Sequence, residues 1–165
     1  YLGGKKRAMR GAMLARPFIA LAASLLGSSL ALAQERVWNL DQTDNEVYLV
    51  FGVPETDDVG VSFWCTLQSG IVKLYIPEAG PDIKVGTGVN IELKVAAKVY
   101  PLKGTAAVNE ESSGTSLEAE LKTTDPVLSA LREANYFAVT AGSSYHVFPL
   151  GEADFATFLD VCGTP

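Results

Sequence analysis

Residues 89–99 alternate without a break: Val89, Ile91, Leu93, Val95, Ala97 and Val99 are interleaved with Asn90, Glu92, Lys94, Ala96 and Lys98. A period of two sends one set to a buried face and the other to water. The segment therefore predicts a long strand in an antiparallel sheet wetted on one side. The same rhythm returns at Val47, Leu49, Phe51 and Val53, ended by Pro54 and the acidic turn Glu55-Thr56-Asp57-Asp58. It returns at Val59, Val61, Phe63, Cys65 and Leu67, before Gln68-Ser69-Gly70, and over residues 71–76, closed by Pro77 and the Gly80-Pro81 break. Two pairs of shorter runs flank turn-forming residues and read as hairpins. They are 102–109 with 116–122, around Glu110-Glu111-Ser112-Ser113-Gly114, and 136–140 with 145–150, around Ala141-Gly142-Ser143-Ser144. A short strand over 36–40 brings the total to about nine.

Only two late segments switch to helical spacing. Asp125 is placed to cap the first, with Pro126 at its first position, Val127, Leu128 and Leu131 along one side, and Asn135 as its stop. The second covers 152–162, with Glu152 and Asp154 at the positive end of its dipole and Gly163 beyond its end. Phe155, Phe158, Leu159 and Cys162 recur at i, i+3, i+4 and i+7, one buried stripe. The whole pattern predicts a mainly β fold: an antiparallel β-sandwich of about nine strands with two short helices near the C-terminus.

Upstream of the strands the pattern changes character. Residues 18–33 are a continuous apolar run behind Lys5, Lys6, Arg7, Arg10 and Arg16, and Ala31-Leu32-Ala33 precedes Gln34. A basic stretch, an apolar stretch and small residues at a cut read, in that order, as a secretory signal peptide. The run is shorter than the roughly 20 residues of a membrane span. No cysteine stands at the cut to carry a lipid, so no stable membrane anchor is expected after cleavage. Residues 1–33 are assigned to the signal peptide, those before Met9 or Met13 reading as upstream sequence. Residues 34–165 are assigned to a single β-rich globular domain. Its 132 residues are enough for one core and too few for two. The expected location is periplasmic or secreted.

Export changes the meaning of charge and of cysteine. Without the five leading cations the formal net charge of −6 becomes −11, which argues against nucleic acid and anionic membrane surfaces, since both need clustered Lys and Arg. The acids are spread along the chain, as on a solvated surface. Cys65 lies on the apolar side of a strand and Cys162 on the apolar stripe of the last helix. In an oxidising compartment two inward thiols with no competitor predict one disulfide. Closing a loop of that length stabilises a fold by about 4 kcal/mol in the chain-entropy model.

Candidate chemistry is sparse. His146 is the single histidine, and it shares a strand side with Phe148 and Leu150, which reads as structural. Ser143 and Ser144 sit nearby but lack the Gly-x-Ser-x-Gly elbow of a nucleophile. Zinc is disfavoured, with both cysteines oxidised and one imidazole left. The acid clusters Asp41, Asp44, Glu46 and Glu55, Asp57, Asp58 lack the spacing and central glycine of a calcium loop. Val85-Gly86-Thr87-Gly88-Val89 leads into a strand, so no helix N-terminus stands ready for phosphate. No catalytic residue, metal site or cofactor is assigned. Among the aromatics Trp38, Trp64, Tyr75 and Tyr100, the alternation puts Trp64 and Tyr100 on the polar sides of their strands. Those two are the candidate binding surface.

The residues Phe63-Trp64-Cys65, the strand over 89–99, Pro149-Leu150 and the closing Phe158-Leu159-Asp160-Val161-Cys162 resemble small periplasmic β-rich proteins of proteobacteria. The invasion-associated locus B proteins and the type VI secretion accessory proteins of the VasI kind are the nearest in pattern. That resemblance implies an envelope-associated, non-enzymatic role and brings no catalytic residues with it. The expectation is an exported binding or protein-interaction domain for a protein or cell-envelope component. Two alternatives are an envelope hydrolase using paired carboxylates such as Asp57 or Asp58, and an acidic secreted inhibitor of a basic enzyme.

Overall fold

Each alternating run of the sequence carries strand in the computed structural model, which describes residues 35–163, so the expected signal segment lies outside the described residues. In chain order the strands are β1 (Val37–Gln42), β2 (Glu46–Gly52), β3 (Val59–Thr66), β4 (Ile71–Ile76), β5 (Gly88–Val95), β6 (Lys98–Asn109) and β7 (Gly114–Lys122). Helix α1 (Pro126–Glu133) follows, then β8 (Tyr136–Ala141), β9 (Ser144–Pro149) and helix α2 (Phe155–Cys162). All pairings are antiparallel.

The expected sandwich is replaced by one continuous sheet of nine strands, in the order β1-β2-β3-β4-β7-β6-β5-β8-β9. That sheet curls into a half-barrel. β3 and β8 stand five places apart in it, and at about 4.8 Å per strand a flat sheet would separate them by roughly 24 Å. Yet Phe63 of β3 and Phe137 of β8 have ring centroids 5.9 Å apart, and Phe51 of β2 and Phe148 of β9 are 6.0 Å apart. The curl thus brings a first wing (β1, β2, β3, β4, β7) to face a second (β6, β5, β8, β9) across one core. Alternation reports which face is buried, and a curled sheet buries its inner face much as two stacked sheets do. The curl needs close backbone approach at Gly104 of β6, where an added Cβ would meet the Glu118 carbonyl and the Ile91 side chain, both at 2.6 Å.

The long strand expected over 89–99 is two strands. The chain reverses at Ala96-Ala97, with Ala96 in the left-handed region at φ 50°, and Val95 pairs with Lys98. Crossing a two-residue turn swaps the parity of inward positions. Odd residues of β5 face in, and across them even residues of β6 do, so Tyr100 lies opposite fully buried Leu93.

The helices close the inner side. Val127, Leu128 and Leu131 of α1 are buried. Asp125 stands at its N-cap without capping; its carboxylate instead accepts from the Lys122 N–H at 2.8 Å. α2 begins at Phe155, later than expected, because Asp154 is the residue whose carboxylate takes the Thr157 N–H, at 3.0 Å. Phe155 packs edge-on to Phe63 at 5.0 Å and to Trp38 at 5.9 Å. The far end of α2 is fastened twice. Cys162 is bonded to Cys65 of β3, and the N–H groups of Gln68 and Gly70 in the β3–β4 turn donate to the carbonyls of Val161 and Cys162.

Candidate functional site

The outer face of the first wing carries a row of side chains in cross-strand register: Tyr48 of β2 opposite Trp64 of β3, Trp64 opposite Lys73 of β4, and Lys73 opposite Glu120 of β7. Period two dictates that all four point away from the core, because Val47, Leu49, Cys65, Leu74 and Leu121 beside them point in. Tyr48 and Trp64 stack with centroids 6.0 Å apart and planes at 20°. The Lys73 ammonium sits 4.3 Å from the indole centroid on the other side, a cation–π contact. It also reaches Glu120 at 4.0 Å. Both faces of the Trp64 indole are therefore occupied, and what it offers a ligand is its rim.

Beside this row lies a shallow depression of about 370 Å³. Its floor is the backbone of Leu74, Ala119 and Gly104, where every side chain turns inward, and its banks are Trp64, Lys73 and Glu120 with Lys103, Thr105 and Glu118. Two cations and two carboxylates balance, so the depression presents hydrogen-bonding groups of both signs without a net field. Two phenols nearby are held above their ordinary range. Tyr48 is raised by its hydrogen bond to Glu46, then by burial and by the Glu46 charge. For Tyr75, burial is the main cause; the Glu111 and Glu118 charges add to it, and a hydrogen bond with Ser116 opposes it.

Of the two residues expected to share a binding surface, Trp64 faces outward and Tyr100 does not. Tyr100 packs against the core on the opposite face of the sheet, with the Lys98 ammonium 4.6 Å from its ring. The parity swap at Ala96-Ala97 is the reason. Trp38, also considered, points inward and donates its indole N–H to the Pro149 carbonyl. The residues that do stand with Trp64 were partly legible, since Tyr48 and Lys73 alternate with buried neighbours. Their convergence was not, because β4 pairs with β7 and local pattern says nothing of that.

The remaining candidates are dispersed. His146 stacks on Phe148 at 6.2 Å. Ser143 gives both its N–H and its hydroxyl to Asp82, which ties the β8–β9 turn to the loop before β5. Gly142 adopts φ 56° there, and an added Cβ would strike the Asp82 carboxylate. That carboxyl is held below its ordinary range by the Ser143 hydroxyl first and the Ser143 amide second. Asp58 is bound to Arg36, and Glu46 accepts from the Tyr48 hydroxyl. No three His, Cys, Asp or Glu side chains converge as metal ligands among the described residues. The loop at Gly86 is a turn, its N–H bonded to the Ala106 carbonyl at 2.8 Å. No helix among the described residues is long and apolar enough to cross a membrane. Comparison with protein-family models, curated proteins and solved structures finds no match to this chain.

Proposed function

We propose that the chain is an exported, non-enzymatic binding domain, periplasmic or secreted, that seats a segment of a protein or envelope component in the depression beside Trp64. The observation that carries this reading is the mixed-charge hollow of about 370 Å³ walled by an indole whose position is set by Tyr48 and Lys73. Balanced charge selects against nucleic acid and for a polar segment that both donates and accepts hydrogen bonds. The leader pattern and the Cys65–Cys162 bond support an oxidising compartment. The resemblance to envelope-associated families points the same way.

The test is a pull-down from envelope extract with the oxidised protein, run beside Trp64→Ala at low and moderate salt. A partner kept at moderate salt by the wild type and released by Trp64→Ala supports the reading. A partner lost from the wild type as salt rises favours the acidic inhibitor, whose attraction to a basic enzyme would be screened. For the hydrolase alternative, Glu118 and Glu120 both bank the depression, whereas Asp57 and Asp58 do not. Both glutamates are exposed, whereas an acid catalyst is tuned by burial. Glycan turnover abolished by Glu118→Gln or Glu120→Gln would replace the binding reading with that one.

A further inference from the structure

The β8–β9 hairpin contains no Asp, Glu, Lys or Arg: β8 reads YFAVTA and β9 reads SYHVFP. β9 ends the sheet, and among the described residues no strand pairs with its far side. Ala141 and Ser144 flank a two-residue turn and pair across it, which makes them a hydrogen-bonded pair. The alternation then directs the N–H and C=O groups of Tyr145 and Val147 away from β8, toward the open edge. At one end that edge is capped, because the Pro149 carbonyl accepts from Trp38. Its middle has none of the usual protection by lysine or a bulge. The side chains above it are 63% exposed at Tyr145 and 52% at Val147, beside Tyr136 at 55%.

We propose that this edge pairs with the β9 edge of a second copy of the chain, antiparallel, about a two-fold axis at His146. In that register Tyr145 lies opposite Val147 of the second copy, and Val147 opposite its Tyr145. Both are hydrogen-bonded pairs of an aromatic with a β-branched residue, a favourable cross-strand combination. The strand is thus complementary to itself, as a two-fold contact requires. Charge favours the same occupant. Residues 34–165 carry a net −11, so two copies repel over most of their surface, and this hairpin is where two strands with no charged side chain of their own can meet, with Arg36 and Glu78 set together on the inner side beside His146. The exposed side chains of Tyr136, Tyr145, Val147 and Pro149 offer on the order of 400 Å². A standard interface uses roughly 800 Å² per partner, so the dimer is a weak, reversible one.

Sedimentation of the oxidised protein from micromolar to millimolar concentration tests this. The mean mass is expected to climb from monomer toward dimer for the wild type and to stay monomeric for Val147→Pro. That change removes an N–H which β8 does not use, so the fold tolerates it. A second measurement does not depend on it: His146→Cys, lying on the axis, is expected to oxidise to a covalent dimer, while Val108→Cys, 56% exposed elsewhere, is not. A wild type that remains monomeric throughout, or equal cross-linking at the two positions, overturns the proposal.

Discussion

Both wings of the sheet bury large aromatic rings on their inner faces and finish their outer faces differently. Phe63 on the first wing and Phe137 on the second are both fully buried, yet outside Phe63 runs the row Tyr48, Trp64, Lys73, Glu120, while outside Phe137 stand Tyr136, Tyr145 and Val147 with no charge on either strand. Core packing constrains only alternate positions of a strand. The outer positions are free of that demand, and here one wing presents ordered polar groups and the other an apolar edge. The first looks outward to a ligand, the second to another strand.

The wings also differ in how they are held, and the largest expected effect tests that. The first wing is fastened to α2 by the bond between Cys65 and Cys162, 97 residues apart. Replacing both cysteines with serine is expected to lower the unfolding free energy by about 4 kcal/mol, read by urea denaturation. The second wing has no such covalent link and packs under α1, so Leu128→Ala is expected to cost about 3 kcal/mol. A much smaller loss would mean that α1 is not what holds β5 and β8. On the outer face of the first wing, Trp64→Ala removes a ring stack and a cation–π contact near the surface and is expected to cost about 1 kcal/mol. Tyr145→Ser, on the matching face of the second wing, is expected to change monomer stability by less than about 0.5 kcal/mol, which would sharpen the contrast between a laced surface and a bare one.

Two smaller effects belong to turns. Ala96→Gly relieves a left-handed alanine and is expected to raise stability by about 0.5 kcal/mol, visible as a slightly higher Tm. Asp82 has a carboxyl pKa lowered by Ser143 from an ordinary 3.8. The tether it makes therefore adds stability above that value and loses it as pH falls through the lower folded-state value. A difference in Tm between the wild type and Asp82→Ala is expected at neutral pH and should shrink as the pH falls below 3.8.

Much of this architecture was legible before any coordinates, for a physical reason. Alternation is imposed locally by burial, so the nine strands, the inward cysteines and the late helical stripes could be read from neighbours a few residues apart. Curl and strand order are set by contacts between distant residues. Nothing near Ile71 announces that β4 pairs with β7, and nothing near Phe63 announces Phe137. The local failure with the widest reach was the turn at Ala96-Ala97. Two alanines lack the glycine or asparagine that normally marks a left-handed position, so the apolar rhythm appeared to run through it. A reversal there exchanges inward and outward positions downstream, which is why Tyr100 left the candidate surface while Trp64 stayed. Tyr48, Lys73, Glu118 and Glu120 were recognisable singly as outward residues. Their assembly into one hollow depended on the long-range pairing.

The bond from Cys65 to Cys162 also governs how the domain responds to tension. Pulled by its two ends, the chain passes force directly from β3 to the end of α2, and everything between those cysteines, from β4 to the second wing, is bypassed. Only β1, β2 and most of β3 lie in the load path, and residues 35–65 stretch to about 100 Å at most. Under such a load the extension has a fixed limit: β1, β2 and most of β3 peel away, while β4, β7 and the second wing stay inside the closed loop.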